Sequence, residues 1–271
     1  MNPWPTRNPR FWDRLCLSVV PLRKSMKQRN WRKLHRYLGL IIGVQLFVWT
    51  LSGVIFSWMS MKTVRGEHLV RHPSGEPVGE LDTDVVARVL AAVAENGQLD
   101  GLRSMSIRTM LSRPVVEAAV LRDVNFEYVL FDGRTGERLS PLDESTARRI
   151  AQHDFAEDVG VVSVERIDAV GSHSEYRNKD LPAYRVVLDH PTGPVIYVSA
   201  QRGMVTARRN NQWRMYDFFW MLHTMDYWGR DSFDTWLLRS VSVFGLATVV
   251  TGFVLGLLTS RVFRRPRRRT R

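Results

Sequence analysis

The chain is nearly without cysteine and, over two long stretches, without charge. Its single cysteine is Cys16. A domain formed by the later residues therefore has no disulfide and must rely on a buried core of its own. Several enzyme signatures are also missing: the sequence has no G-x-G-x-x-G, no P-loop, no HExxH and no serine nucleophile elbow. No basic stripe crosses the middle of the chain, which excludes a nucleic-acid interface there.

The uncharged stretches run from Tyr37 to Met61 and from Ser240 to Ser260. As a helix, each can cross a hydrocarbon layer of roughly 30 Å at about 1.5 Å per residue. The first exceeds the apolar run of a signal peptide and ends without an A-x-A-like site, so it is predicted to stay as a signal anchor. Residues 1–36 hold ten Lys or Arg against one acid, Asp13, and the tail from Arg261 holds seven Arg and no acid. The ends thus carry a net +16 within a chain of net +12, which leaves −4 to the residues between them. Basic flanks stay in the cytoplasm, so both termini are predicted inside a bacterial inner membrane, in contact with anionic membrane lipid, with the middle periplasmic.

Within this frame the sequence divides into six parts. Residues 1–36 are a basic cytoplasmic segment whose Trp4, Phe11, Trp12 and Leu15 suit the membrane surface. Residues 37–61 are the first span and 62–212 the periplasmic domain. In that domain Asp82-Thr83-Asp84 predicts a helix start and Asn96-Gly97 its stop. Strand-like runs follow at 102–107, 115–121 and 126–131, then the turn 132–136. A second helix is predicted from Asp143 and further strands at 159–167, 184–188 and 195–199, with a turn at Gly203. These are two degenerate copies of one helix-then-sheet unit, about 80–140 and 141–208. Residues 213–235 form an interfacial aromatic helix and loop, 236–260 the second span, and 261–271 a basic cytoplasmic tail. The fold class is membrane α+β: a two-helix transmembrane hairpin carrying an inserted extracytoplasmic domain of two helix and antiparallel-sheet repeats.

Two histidines border the spans. His35, Gly39 and Gly43 are spaced to share one helix face, offering an imidazole beside smooth backbone; the same glycines also form a helix-packing motif. His223 belongs to a stripe with Trp213, Tyr216, Trp220 and Tyr227, which predicts a face at headgroup level. Asp226, Asp231 and Asp234 follow as capping acids. Thr248, Gly252 and Gly256 give the second span a face of small residues for contact with another helix.

Three stretches carry a family resemblance. They are Leu34-His35-Arg36-Tyr37-Leu38-Gly39, then Leu181-Pro182-Ala183-Tyr184-Arg185-Val186 with Ile196-Tyr197-Val198 and the turn to Gly203, and Leu222-His223-Thr224-Met225-Asp226-Tyr227. Over about residues 30–260 the chain resembles the PepSY-associated transmembrane family, which includes inner-membrane haem proteins that reduce ferric siderophores. The resemblance implies PepSY repeats in the middle domain and transmembrane electron transfer through haem b, with His35 and His223 as iron ligands and a ferric-siderophore substrate. This chain has two spans where the larger reductases have four or more. With His35 and His223 on opposite sides of one bilayer, bis-histidine ligation calls for a homodimer or a haem-carrying partner subunit. The alternative is a non-catalytic, membrane-anchored PepSY binding or regulatory module, or an accessory subunit of a larger transporter or reductase.

Overall fold

The computed structural model describes residues 28–71, 77–78 and 81–259. Cys16, Trp4, Phe11, Trp12, Leu15 and the basic tail lie outside them. The described chain divides into two units, whose boundary passes through both apolar helices.

The smaller unit holds the lower part of α1 (Gln28–Trp58) and most of α6 (Trp236–Thr259). Helix α1 begins well before the uncharged stretch, because Trp31, Leu34 and the long basic side chains among them are all tolerated on a helix. His35 is therefore two turns inside the helix that also carries Gly39 and Gly43, as their spacing predicts. The two helices run antiparallel: His35 meets Thr251, and Ile42, almost fully buried, faces Gly245. Outward lie Leu40, Ile41, Val44, Val243, Leu246, Val250 and Phe253, an apolar exterior of the kind that lipid covers.

The larger unit contains the domain. It opens with the short helix α2 (Met61–Val64), and α3 (Val85–Glu95) follows, stopped by Asn96 and by Gly97 at φ +65°. Strands β1 (Leu102–Met110), β2 (Arg113–Arg122) and β3 (Asn125–Asp132) form an antiparallel meander. Val85, Val89 and Val93 of α3 pack on Val116, Ala118, Val129 and Phe131 of one sheet face. Helix α4 (Glu144–Asp154) starts where Asp143 accepts the Thr146 N–H, an N-cap. After it come β4 (Val161–Ile167), β5 (Ala183–Leu188), β6 (Val195–Ser199) and β7 (Val205–Arg209), a second antiparallel meander. The predicted order of helix and strands holds; β7, too basic to look like a strand, was not predicted.

Strand β2 is buried on both faces, as its run of Val and Ala allows. Its second face, through Val115, joins Leu130 and one continuous core with Ile150 and Ala151 of α4 and Tyr184, Val186, Ile196 and Val198 of the second sheet. The far side of that sheet is closed by Tyr176, which stacks on Tyr197 at 4.6 Å. At the junction of the sheets, Glu117 of β2 is 7% exposed and accepts from Arg202 at 2.9 and 3.2 Å. Arg108 approaches the same carboxylate at 3.7 Å and donates to the Arg202 carbonyl. Desolvation pulls the Arg108 pKa below its ordinary value; Glu117 opposes that pull and Arg202 adds to it. One carboxylate thus offsets two guanidinium groups. Glu117→Gln leaves Arg108 without its carboxylate and Arg202 with only the longer contact to Asp180 at 3.5 Å, and is expected to cost about 3 kcal/mol, lowering the melting temperature of the full-length protein by roughly 6 to 12 °C.

Candidate functional site

In the smaller unit, His35 is half-buried against α6. Its Nδ1 lies 3.0 Å from the Thr251 hydroxyl. That hydroxyl already donates its proton to the Thr248 carbonyl at 2.9 Å. With its proton so placed Thr251 accepts from Nδ1, and in the matching neutral tautomer the lone pair is on Nε2. Gly252 makes room for the ring: a Cβ there would stand 3.2 Å from the His35 Cε1 and 3.7 Å from Nε2. Thr248 and Gly252, read as a face for another helix, are turned toward α1 of the same chain, while Gly256 is open. A Cβ at Gly39 or Gly43 would meet nothing within 4 Å, so the flank beside His35 is smooth backbone.

In the larger unit, α5 (Asn211–Thr224) carries His223 one residue before its end. Asn210 caps its start, accepting from Trp213, and Met225 in the left-handed region at φ 55° ends it. The His223 Nδ1 lies 2.7 Å from the Ser52 hydroxyl of α1. Ser52 points its own proton back at the carbonyls of Val48 (2.8 Å) and Trp49 (3.0 Å). With the proton on that side Ser52 accepts from Nδ1, and the matching neutral tautomer again has its lone pair on Nε2. Phe56 meets the ring edge-on at 5.6 Å, and the Trp49 indole donates to the His223 carbonyl at 2.7 Å.

The two histidines are not brought together. They belong to different units, and each is held by a hydroxyl of its own. Both are set in one tautomer by the same device, a helical Ser or Thr bonded back to its own preceding turn. Among the described residues neither Nε2 has a partner, and no three His, Cys, Asp or Glu side chains gather as a metal site. A single imidazole does not hold a bare ion well. It does suit an axial position on a group that supplies its other ligands itself, as haem does. The residues present offer such a group an oriented imidazole at each place and, at Gly39 and Gly43, open backbone on the helix of His35.

The predicted stripe on α5 is real but faces inward. Tyr216, Trp220 and His223 pack on Phe56 of α1 (4.8, 6.2 and 5.6 Å), Trp213 lies under Arg177 and Arg209, and Tyr227 falls beyond the helix. The capping acids are spent on local partners. Asp226 accepts the N–H groups of Gly229, Asp231 and Ser232; Asp231 pairs with Arg177, and Asp234 with Arg239. Arg177, 9% exposed, also binds Asp217. Burial works against its charge, but the bonds to Asp231 and Asp217 outweigh it and hold its pKa above the ordinary value. Of the other histidines, His68 and His173 are exposed, His190 bonds Thr192, and His72 lies outside the described residues. Sequence reasoning missed Ser52 and Thr251. Their signal was diluted: Thr50 and Ser57 share the apolar run of Ser52, and Ser240, Ser242, Thr248 and Thr259 share that of Thr251.

The model of the family described as the PepSY-associated TM region matches residues 4–261, nearly the whole chain, and the protein belongs to that family. It is a membrane protein with two apolar helices and an antiparallel-sheet domain between them. No curated protein and no solved structure matches it.

Proposed function

We propose that this protein serves transmembrane electron transfer at the bacterial inner membrane, with both termini cytoplasmic, two PepSY repeats in the periplasm, and His35 and His223 as axial ligands of haem b. The observation that supports this is a shared arrangement: His35 on α1 and His223 on α5 each set Nδ1 against a helical hydroxyl that is also bonded back to its own preceding turn. Haem, when bound, supplies one-electron redox chemistry. The chain's residues do the rest. Thr251 and Ser52 fix the rings, and Gly252 and Phe56 set ring orientation. The acceptor is a ferric chelate of the siderophore class on the domain's side. Each site lacks a second histidine from the same chain, so a homodimer or a haem-carrying subunit completes it.

The test is electron passage across vesicles. Haem-loaded protein in liposomes with reductant trapped inside should reduce an external ferric siderophore faster than protein-free vesicles. Equal rates would overturn the proposal. Thr251→Val and Ser52→Ala should each weaken haem retention at their own site by about 10–100-fold, read by haem loss to apomyoglobin.

A second reading has its own observation. The same two bonds pin α1 to α6 and α1 to α5 without any cofactor. On that reading the chain is an anchored PepSY module, or an accessory subunit, and the histidines are clamps. Equal vesicle rates, with His35→Ala and His223→Ala lowering stability alone, would favour it.

A further inference from the structure

Helix α5 descends along α1. Near its start, Asn210 donates to the Thr63 carbonyl at 2.9 Å; in its middle, Tyr216 meets Phe56; at its end, His223 reaches Ser52, and the Trp49 indole reaches the His223 carbonyl. Ser52 lies six residues before Trp58, where α1 ends. At about 1.5 Å per residue, the end of α5 sits roughly 9 Å below the top of a helix whose apolar span covers Asn30–Trp58. A helix beside that turn shares its depth.

The chemistry of α5 matches a low-dielectric setting, and the charges of its loop are paired, with Asp231 and the Asp234–Arg239 pair on the loop's exposed side. After Asp217 the helix carries no charge to its end. Between Arg214 and Arg239 stand seven charged residues, and each has a partner: Arg214 with Glu175, Asp217 with Arg177 and Arg230, Asp231 with Arg177, Asp234 with Arg239, and Asp226 with backbone N–H groups. The loop's backbone is also served by its own side chains, Asp226 taking Gly229, Asp231 and Ser232, Ser232 taking Asp234, and Thr235 taking Leu238. Irregular backbone enters hydrocarbon only when its polar groups are satisfied in this way. Meanwhile the large apolar side chains point out: Met215, Phe218, Trp228, Phe233 and Trp236 are 46, 50, 68, 58 and 72% exposed. They continue the exposed apolar surface of α1 at Leu51, Val54 and Trp58.

We propose that α5 and the following loop, residues 213–236, are inserted into the bilayer leaflet on the domain's side as a re-entrant element, with Met215, Phe218, Trp228, Phe233 and Trp236 covered by lipid acyl chains. The face presented to lipid is then the reverse of the Tyr216–Trp220–His223 stripe, and His223 lies within hydrocarbon depth rather than on the surface. This holds whether or not haem binds.

Spin-label accessibility tests it. Full-length protein carrying Cys16→Ser receives one nitroxide at a time, through Met215→Cys, Phe218→Cys or Phe233→Cys, in phosphatidylcholine–phosphatidylglycerol vesicles. Val250→Cys on the outer face of α6 is the lipid reference, and Val124→Cys at the tip between β2 and β3 the water reference. The ratio of oxygen to nickel-chelate collisions at Met215, Phe218 and Phe233 should match Val250 and exceed Val124 several-fold. Tyr216→Cys, on the seam with α1, should be shielded from both reagents. Ratios at the three outward sites equal to Val124 would overturn insertion. Shielding of those sites from both reagents would also overturn it, assigning the face to a second copy or a protein partner.

Discussion

His35→Ala and His223→Ala are each expected to remove part of the haem bound by the full-length protein, and the double variant to remove all of it. The reason lies in how each ring is held. His35 and His223 occupy separate places on α1 and α5, each with its own hydroxyl, so the loss of one leaves the other's Nε2 oriented. Of the other described histidines, His68 and His173 are exposed, His153 sits in the last turn of α4, and His190 is held by Thr192 within the domain. His173→Ala is the control and should leave haem content unchanged. Haem per polypeptide, measured as the pyridine haemochrome, reads the result. A double variant with wild-type haem would place the ligands elsewhere.

The second large effect is topological. A periplasm-active reporter fused after Met61, or within residues 100–200, should be fully active, and one fused at Arg271 inactive; a cytoplasm-active reporter should give the reverse. The driving asymmetry is the net +16 of the two ends against −4 between them. An extracytoplasmic Arg271 would place His35 and His223 on the wrong sides for outward electron flow and would end that reading.

Much of the fold was legible because single residues announce it. The gap in charge from Tyr37 to Met61 marks α1, Asp143 marks the start of α4, and Gly97 and Gly203 mark stops that need positive φ. Strands β2 and β6 are plain from their Val and Ile. Other parts hid for physical reasons. The strand β7 is Val-Thr-Ala-Arg-Arg, and its basic end looks like loop until Arg208 is seen paired with Asp154, and Arg209 stacked at 4.1 Å on Trp213. The polar stretch 171–179 conceals Tyr176, which is fully buried because the second sheet's outer face has no helix to cover it.

The candidate site was half legible. The spacing of His35, Gly39 and Gly43 selects one flank of α1, and the glycines are indeed open there. What the spacing does not contain is the partner across the seam. Thr251 and Ser52 are distant in sequence from the histidines they hold, and only the antiparallel packing of α1 with α6, and of α5 on α1, supplies them. The α5 stripe was found by period, yet periodicity gives a face and not what it faces. Phe56 decides that, and it turns the stripe inward.

Haem ligation by these two histidines is tested most directly by the visible spectrum of wild-type, full-length protein, purified in detergent from cells amply supplied with haem. A b-type Soret band that shifts on reduction, with a sharpened α band, is the expected result. Colourless protein, correctly inserted in the membrane and still colourless after haem is added, would contradict it.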